Sequence, residues 1–166
     1  VIAQVARFIV VTPSFDTLTA IADSARIAVL AFDSLNFPMP NPSVAWATSD
    51  AAIATVDQAG LVRAVKNGVV LVTASAAGQS AFATVVVRQE VAAAQLSTDR
   101  VALVGEGDTV RLSAVGLDKN GYPVADATLA WRSRSGCVAS LRGNGGSPNE
   151  YFYGLSMLVT ARGAGE

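Results

Sequence analysis

Ser43-Val44-Ala45-Trp46 and Thr128-Leu129-Ala130-Trp131 read as two copies of one strand, 131 − 46 = 85 residues apart. The same offset pairs Leu18 with Leu103, Asp23 with Asp108, Asp33 with Asp118, Pro38 with Pro123 and Ala54 with Ala139. A register held without a gap from Leu18 to Ala54 marks a duplicated module. The 166 residues are therefore expected to form two domains, 1–88 and 89–166. Each is long enough for one modest hydrophobic core.

Working outward from Trp46, apolar residues recur at a period of two or in short β-branched runs. No segment keeps a helical period for three turns. Val5–Thr12 reads as a strand ended by Pro13, and Ala25–Phe32 as a second. Asp33-Ser34 opens a loop holding Pro38, Pro40 and Pro42, after which Val44 and Trp46 share one face of a strand. Ile53–Val56 and Leu61–Val65 flank Asp57-Gln58-Ala59-Gly60, residues suited to a turn. Asn67-Gly68 predicts a hairpin into Val69–Ser75, and Gly78-Gln79 turns the chain into Ala81–Arg88. Short strands at this spacing predict a β-sandwich.

The second copy repeats the plan with Val91–Ser97, Thr109–Gly116, Thr128–Ser133 and Val138–Leu141. Beyond Leu141 the register breaks. Met157–Ala161 aligns with Val70–Ala74 at 161 − 74 = 87, and Gly165 with Gly78, placing a small insertion in Arg142–Pro148. On that alignment nothing matches Ala81–Arg88, so the second module is expected to lack its final strand. Arg88-Gln89-Glu90 is too short a connection to behave as a flexible tether. The chain lacks a starting Met and a signal-peptide pattern, which reads as a fragment or a processed product.

Ile53-Ala54-Thr55-Val56-Asp57, Gly60, Val62, Ala64-Val65, Gly68 and Val72-Thr73-Ala74, following Trp46-x-Thr48-Ser49-Asp50, resemble bacterial Ig-like domains of group 2. Val11-Thr12-Pro13 fits the same pattern. In the second copy Trp131-Arg132-Ser133, Val138-Ala139-Ser140-Leu141 and Val159-Thr160-Ala161 match, whereas the Asp-x-x-Gly turn does not. The resemblance implies an all-β chain of two tandem immunoglobulin-like sandwiches. It implies use in bacterial surface or secreted proteins, among them adhesins of the intimin and invasin type, cell-wall enzymes and phage virion proteins. The expected function is a non-catalytic structural or adhesive segment, a semi-rigid spacer or protein-interaction module at the cell surface or outside the cell. The alternatives are a phage capsid-decoration or tail protein, and a glycan-binding module.

Composition narrows the chemistry. With 12 basic and 13 acidic residues the net charge is −1, and neither half has the basic excess that binding nucleic acid requires. No run approaches the roughly 20 apolar residues of a membrane span, so membrane insertion is not expected. Zero His removes the commonest general base and metal ligand. The only lysines, Lys66 and Lys119, sit in turns, so no enzyme activity and no cofactor are expected. Cys137 is the single cysteine and aligns with Ala52, which excludes an internal disulfide. Only 15% of residues are charged against 51% hydrophobic, where about 25% charged is usual. That balance suits small Ala- and Val-rich β-modules, or faces covered by neighbouring subunits.

Four groups of residues stand out. Trp46 and Trp131 are expected to pack between sheets rather than stack on sugars. Asp118, Asn120 and Asp126, with Asp33 at the equivalent place in the first copy, could ligate calcium. The simpler reading is a turn in which Asp and Asn bond local backbone. Tyr151-Phe152-Tyr153 belongs to one copy only, either as an edge strand with Phe152 inward or as an aromatic contact for a glycan or a protein. The missing strand invites donation from another chain, with apolar Val1–Val11 the natural donor.

Overall fold

The computed structural model describes residues 6–40, 42–132, 139–142, 152–153 and 156–162. All regular structure among these is β, and no helix is long and apolar enough to cross a membrane. The chain divides into two compact units, Val1–Glu90 and Val91–Glu166.

Ten strands build the first unit: β1 (Phe8–Thr12), β2 (Phe15–Leu18), β3 (Ser24–Arg26), β4 (Ala28–Phe32), β5 (Pro38–Met39), β6 (Ala45–Thr48), β7 (Ala54–Val56), β8 (Leu61–Ala64), β9 (Gly68–Ala76) and β10 (Gln79–Val87). They form two layers. β3 and β4 are successive halves of one run, interrupted at Ile27, whose amide donates to the Gly60 carbonyl. Around that run lie β1 and β5 at one end, β8 and then β7 at the other. The facing layer is one sheet of order β2-β10-β9-β6.

Alternation decides what lies between the layers. Val70, Val72, Ala74 and Ala76 of β9 and Ala83, Val85 and Val87 of β10 point inward and are buried. Ile9, Val11, Ile27, Ala31, Ala54 and Val62 meet them from the other side. A core so rich in Val and Ala explains the high apolar content without large side chains.

Several local expectations need revision. The first strand does not end the N-terminal pairing. After Thr12-Pro13 the chain changes layers, and β2 pairs in parallel with β10, Phe15 opposite Thr84 and Leu18 opposite Val87. Asn67-Gly68 is not a hairpin: β8 and β9 belong to opposite layers, so the turn is a crossover. Asn67 instead accepts the Gln89 amide on its side chain, 2.8 Å. Gly68 is needed because a Cβ there would stand 2.6 Å from Ile53 Cδ1. The actual two-residue hairpin joins β9 and β10 through Ala77 (φ 49) and Gly78 (φ 79), a type I′ turn.

The second unit contains β11 (Ala93–Leu96), β12 (Thr109–Leu117), β13 (Ala130–Trp131), β14 (Ala139–Arg142), β15 (Phe152–Tyr153) and β16 (Ser156–Ala161). Four make a sheet of order β11-β12-β16-β14; β13 pairs only with β15. The repeat is kept at its start beyond what residue identity reveals. β11 on β12 reproduces β1 on β4 at the 85-residue offset, Ala93 opposite Leu117 as Phe8 is opposite Phe32.

Beyond Leu141 the alignment with Val70–Ala74 is overturned. In the first unit Ser24 stands opposite Arg63 and Ala25 opposite Val62, while Ala54 stands opposite Ala64. In the second, Thr109 stands opposite Thr160 and Val110 opposite Val159, while Ala139 stands opposite Ala161. The Ala64 amide donates to the Asp23 carbonyl, and the Ala161 amide donates to the Asp108 carbonyl. β16 is therefore the counterpart of β8, at 161 − 64 = 97, not of β9. The insertion is 97 − 85 = 12 residues long and replaces the tight Asp57–Gly60 turn. Leu158-Val159-Thr160-Ala161 answers Leu61-Val62-Arg63-Ala64. Met157-Leu158-Val159-Thr160-Ala161 misled because its Leu-Val-Thr-Ala run also resembles β9. At that offset Gly68 corresponds to Gly165, so the counterparts of β9 and β10 fall outside the described residues.

Burial differs between corresponding positions of the two units. Val11 is 7% exposed and Val62 fully buried, whereas their counterparts are Leu96, 49% exposed, and half-buried Val159. The counterpart of β2, Arg100–Leu103, is not in a strand.

Candidate interaction surfaces

Trp46 lies on the inward face of β6 and packs against the core cluster, half-buried. Its indole rests over Gly60, where an added Cβ would fall 2.7 Å from Trp46 Cζ2 and run into the Ile27 carbonyl. Gly60 also needs its positive φ of 73. Trp46 therefore cannot present both ring faces to a flat sugar. Its edge borders two open concavities of about 480 and 410 Å³, with Val44 and Gln58 common to both. Trp131 is half-buried on the backbone-equivalent strand β13.

The aspartate loops are built for backbone satisfaction. Asp118 Oδ1 accepts the amides of Asn120 (3.0 Å) and Tyr122 (2.9 Å). The Asp118 amide donates to the Tyr122 carbonyl, and the Gly121 amide to the Asp118 carbonyl. Asp33 makes the same four bonds with Leu35, Phe37 and Asn36. Asp57 makes them again with Ala59, Leu61 and Gly60. The fourth residue carries the left-handed conformation each time: Asn36 (φ 64), Gly60 (φ 73) and Gly121 (φ 83). This is one loop design used three times, with an acceptor side chain and a residue that tolerates positive φ. Leu35 can stand where Asn120 stands because only the backbone at that position is needed. Asp126 is exposed, and among the described residues no group of three metal-ligating side chains gathers.

Of the aromatic run, Tyr151 lies outside the described residues, as does Cys137. Phe152 and Tyr153 form β15, with Trp131 opposite Phe152 and Ala130 opposite Tyr153. Phe8–Val11, the last part of the expected donor segment, is already committed: β1 pairs with β4 and buries Ile9 and Val11 in its own unit. Val1–Val5 lie outside the described residues.

The surface that sequence reasoning missed is the outer face of β2-β10-β9-β6. Phe15 and Val69 are each 60% exposed, Phe82 55% and Leu71 45%. They alternate with Thr17, Thr73 and Thr84, and no outward position on these four strands is charged. A second apolar cluster lies on the outside of β1 and β4. There Phe8 stacks on Phe32 with centroids 4.9 Å apart, beside exposed Val10 and Leu30. The signal was in the strands: β9 and β10 are apolar at both parities, the pattern of a strand covered on two faces.

No curated protein sequence matches the chain. Among solved structures it is similar to domains 4–9 of the surface layer protein SbsC. That match has 15% identity and TM-score 0.48, and covers 99% of this chain and 28% of that one. It is also similar to invasin, a bacterial integrin-binding protein, at 19% identity and TM-score 0.46, over 96% of this chain and 36% of that one. A third is the Escherichia coli adhesin FdeC, at 16% identity and TM-score 0.41, over 93% of this chain and 55% of that one. The family described as bacterial Ig-like domain (group 2) matches residues 35–87. That span runs from the first aspartate loop through Trp46 to the end of β10, so this part of the first unit is similar to a bacterial Ig-like domain of group 2.

Proposed function

We propose that the chain is a non-catalytic structural or adhesive segment of a bacterial cell-surface or secreted protein, whose first unit makes protein contacts through its uncharged outer sheet face. One observation carries this reading: a completed Ig-like sandwich leaves Phe15, Val69, Leu71 and Phe82 in water on one sheet. A monomer gains nothing from such a patch, and contiguous exposed apolar surface marks contact sites. The absence of His supports a role without acid–base chemistry. The balanced charge favours a protein partner over nucleic acid. Nothing in the described geometry favours a virion or glycan role over this one.

Sedimentation velocity tests the proposal, with a second copy of the chain as the available partner. Association should rise with concentration and disappear in Leu71→Lys/Phe82→Lys, both outward substitutions that leave the core untouched. A chain that stays monomeric at the highest soluble concentration overturns the contact role of this face.

A further inference from the structure

In the first unit β6 ends its sheet, with β9 on one side and no strand on the other among the described residues. The Ser49 amide donates to the Leu71 carbonyl, and successive residues direct their N–H groups to opposite sides. Ala45 and Ala47, opposite Ser75 and Thr73, therefore turn toward β9, while Val44, Trp46 and Thr48 turn their amides and carbonyls away from it. No described residue bonds to the backbone of these three along that edge. Sheet edges are commonly blunted by charge, proline or a bulge. At the far side of the same sheet β2 carries Asp16 and follows Pro13. Val44-Ala45-Trp46-Ala47-Thr48 has no charge and no proline, and its two alanines are small enough to let another backbone approach.

We propose that this edge pairs with the same edge of a second copy of the chain, antiparallel and centred on Trp46. Val44 then stands opposite Thr48 of the second copy and Trp46 opposite its twin, and each such pair exchanges two backbone bonds. The inner side chains of the added strand enter the open concavities of about 480 and 410 Å³ that border Trp46. Charge sets the direction. Asp50 follows the strand at one end, and at the other Arg26 lines the concavity beside Pro42 and Val44. Antiparallel pairing about Trp46 brings Asp50 of each copy opposite Pro42 of the other, at the end lined by Arg26. Among the described residues no side chain pairs with Arg26 within its own chain, and Asp57 at that end already accepts the Ala59 and Leu61 amides. A parallel arrangement would instead set Asp50 against Asp50.

This contact is separate from the one proposed for the outer face, although it extends the same sheet. Ala45 and Ala47 carry the uncharged face of β9 and β10 up to the edge. Backbone bonds exchanged for bonds to water give little net affinity against the cost of joining two free molecules. The edge therefore makes a transient, register-specific contact between copies brought close together. Covalent trapping reads such a contact where sedimentation does not.

In this register Ala45 stands opposite Ala47 of the second copy in a pair without hydrogen bonds. Its Cα atoms lie about 4.5 Å apart, within the roughly 4.4–6.8 Å that a disulfide spans. On a Cys137→Ser background, an equal mixture of Ala45→Cys and Ala47→Cys in a glutathione redox buffer should form the linked dimer at least about tenfold faster than either variant alone. Thr48→Pro, which removes a donor that β9 does not use, should bring the mixture down to the rate of the single variants. Arg26→Glu, an exposed change on β3, should also slow it, most at low salt. A thermal midpoint near that of the parent checks that both variants fold. Equal rates in the mixture and the single variants overturn the pairing, and so does a selective rate that neither Thr48→Pro nor Arg26→Glu lowers. Fastest trapping of Ala47→Cys with itself overturns the pairing about Trp46. A chain that is monomeric in sedimentation yet traps the mixed pair keeps the edge and loses the outer face. Association without selective trapping keeps the outer face and loses the edge.

Discussion

Ala22 shows how a single residue can be read through its twin. It holds φ 62, and its amide donates to the Ala64 carbonyl; Gly107, at the same place in the second unit, holds φ 87 and donates to Ala161. An L-residue in this region costs about 1–2 kcal/mol, and glycine removes that strain while adding about 0.5–1 kcal/mol of unfolded-state entropy. Ala22→Gly should therefore stabilise the first unit by about 0.5 kcal/mol, raising its thermal midpoint by about 2–4 °C. An unchanged or lower midpoint in calorimetry would show that Ala22 is not strained. Gly116 carries the reverse lesson. A Cβ there would meet Ala127 at 2.6 Å and Val91 at 3.2 Å, whereas the first unit has buried Ala31 at that place and Ala6 opposite the position of Val91. The copies differ by compensating exchanges of volume, which is why identity alone understates how closely they correspond.

Elements are where reading the sequence succeeded and where it failed. Alternation located β4, β6, β9 and β10 because each has one face that must be apolar. It missed β2, since Phe15-Asp16-Thr17-Leu18 buries only Leu18 and its pairing with β10 is set by distant chain. It misplaced β16, because a short run of Leu, Val, Thr and Ala satisfies two different strand positions equally well. Only the cross-strand partners of Thr109 and Ala139 decide between them. Of the candidate residues, the packing of Trp46 was legible from its neighbours, while the outer apolar face required knowing which sheet each parity faces. The aspartate loop was legible as chemistry and ambiguous as function. Asp118 is 2% exposed and its carboxylate is occupied by two amides. Asp118→Ala should cost the second unit about 2–3 kcal/mol, since hydrogen bonds to a charged acceptor are worth about 1.5–3 kcal/mol each and water enters in part. Asp118→Asn, which keeps the Oδ1 acceptor, should cost less than half of that. Adding a chelator or millimolar calcium should move the wild-type midpoint by less than about 1 °C if the loop holds itself together without metal. A rise with calcium that Asp118→Asn removes would restore the metal reading.

On the scale of the whole molecule, the two units differ in how much their described residues bury. In the first, a four-stranded sheet faces β1, β3, β4, β5, β7 and β8, and sixteen of its residues form one buried cluster. In the second, the described strands make one four-stranded sheet and one two-residue ladder, and among the described residues Ala114, Gly116, Met157 and Asp118 are the buried ones. Burying a Val or Leu side chain contributes about 1.5–3 kcal/mol. Exposing the counterparts of Val11 and Val62 therefore removes several kcal/mol, a large fraction of the stability of any small domain. Unfolding should accordingly proceed in two steps, with the second unit first. Limited proteolysis of the chain should leave a fragment ending near Glu90, because opening free energy governs cleavage when reclosing is fast. Arg88 and Glu90 lie on the stable side of the boundary, their amides bonded to the Leu18 and Thr19 carbonyls, and the Ala92 amide is bonded to Leu117. Cleavage should therefore cluster beyond residue 92 and spare Gln79–Val87. A single cooperative transition, or a first cut within β9 or β10, would mean that the second unit gains its stability from contacts other than those of its own sheet.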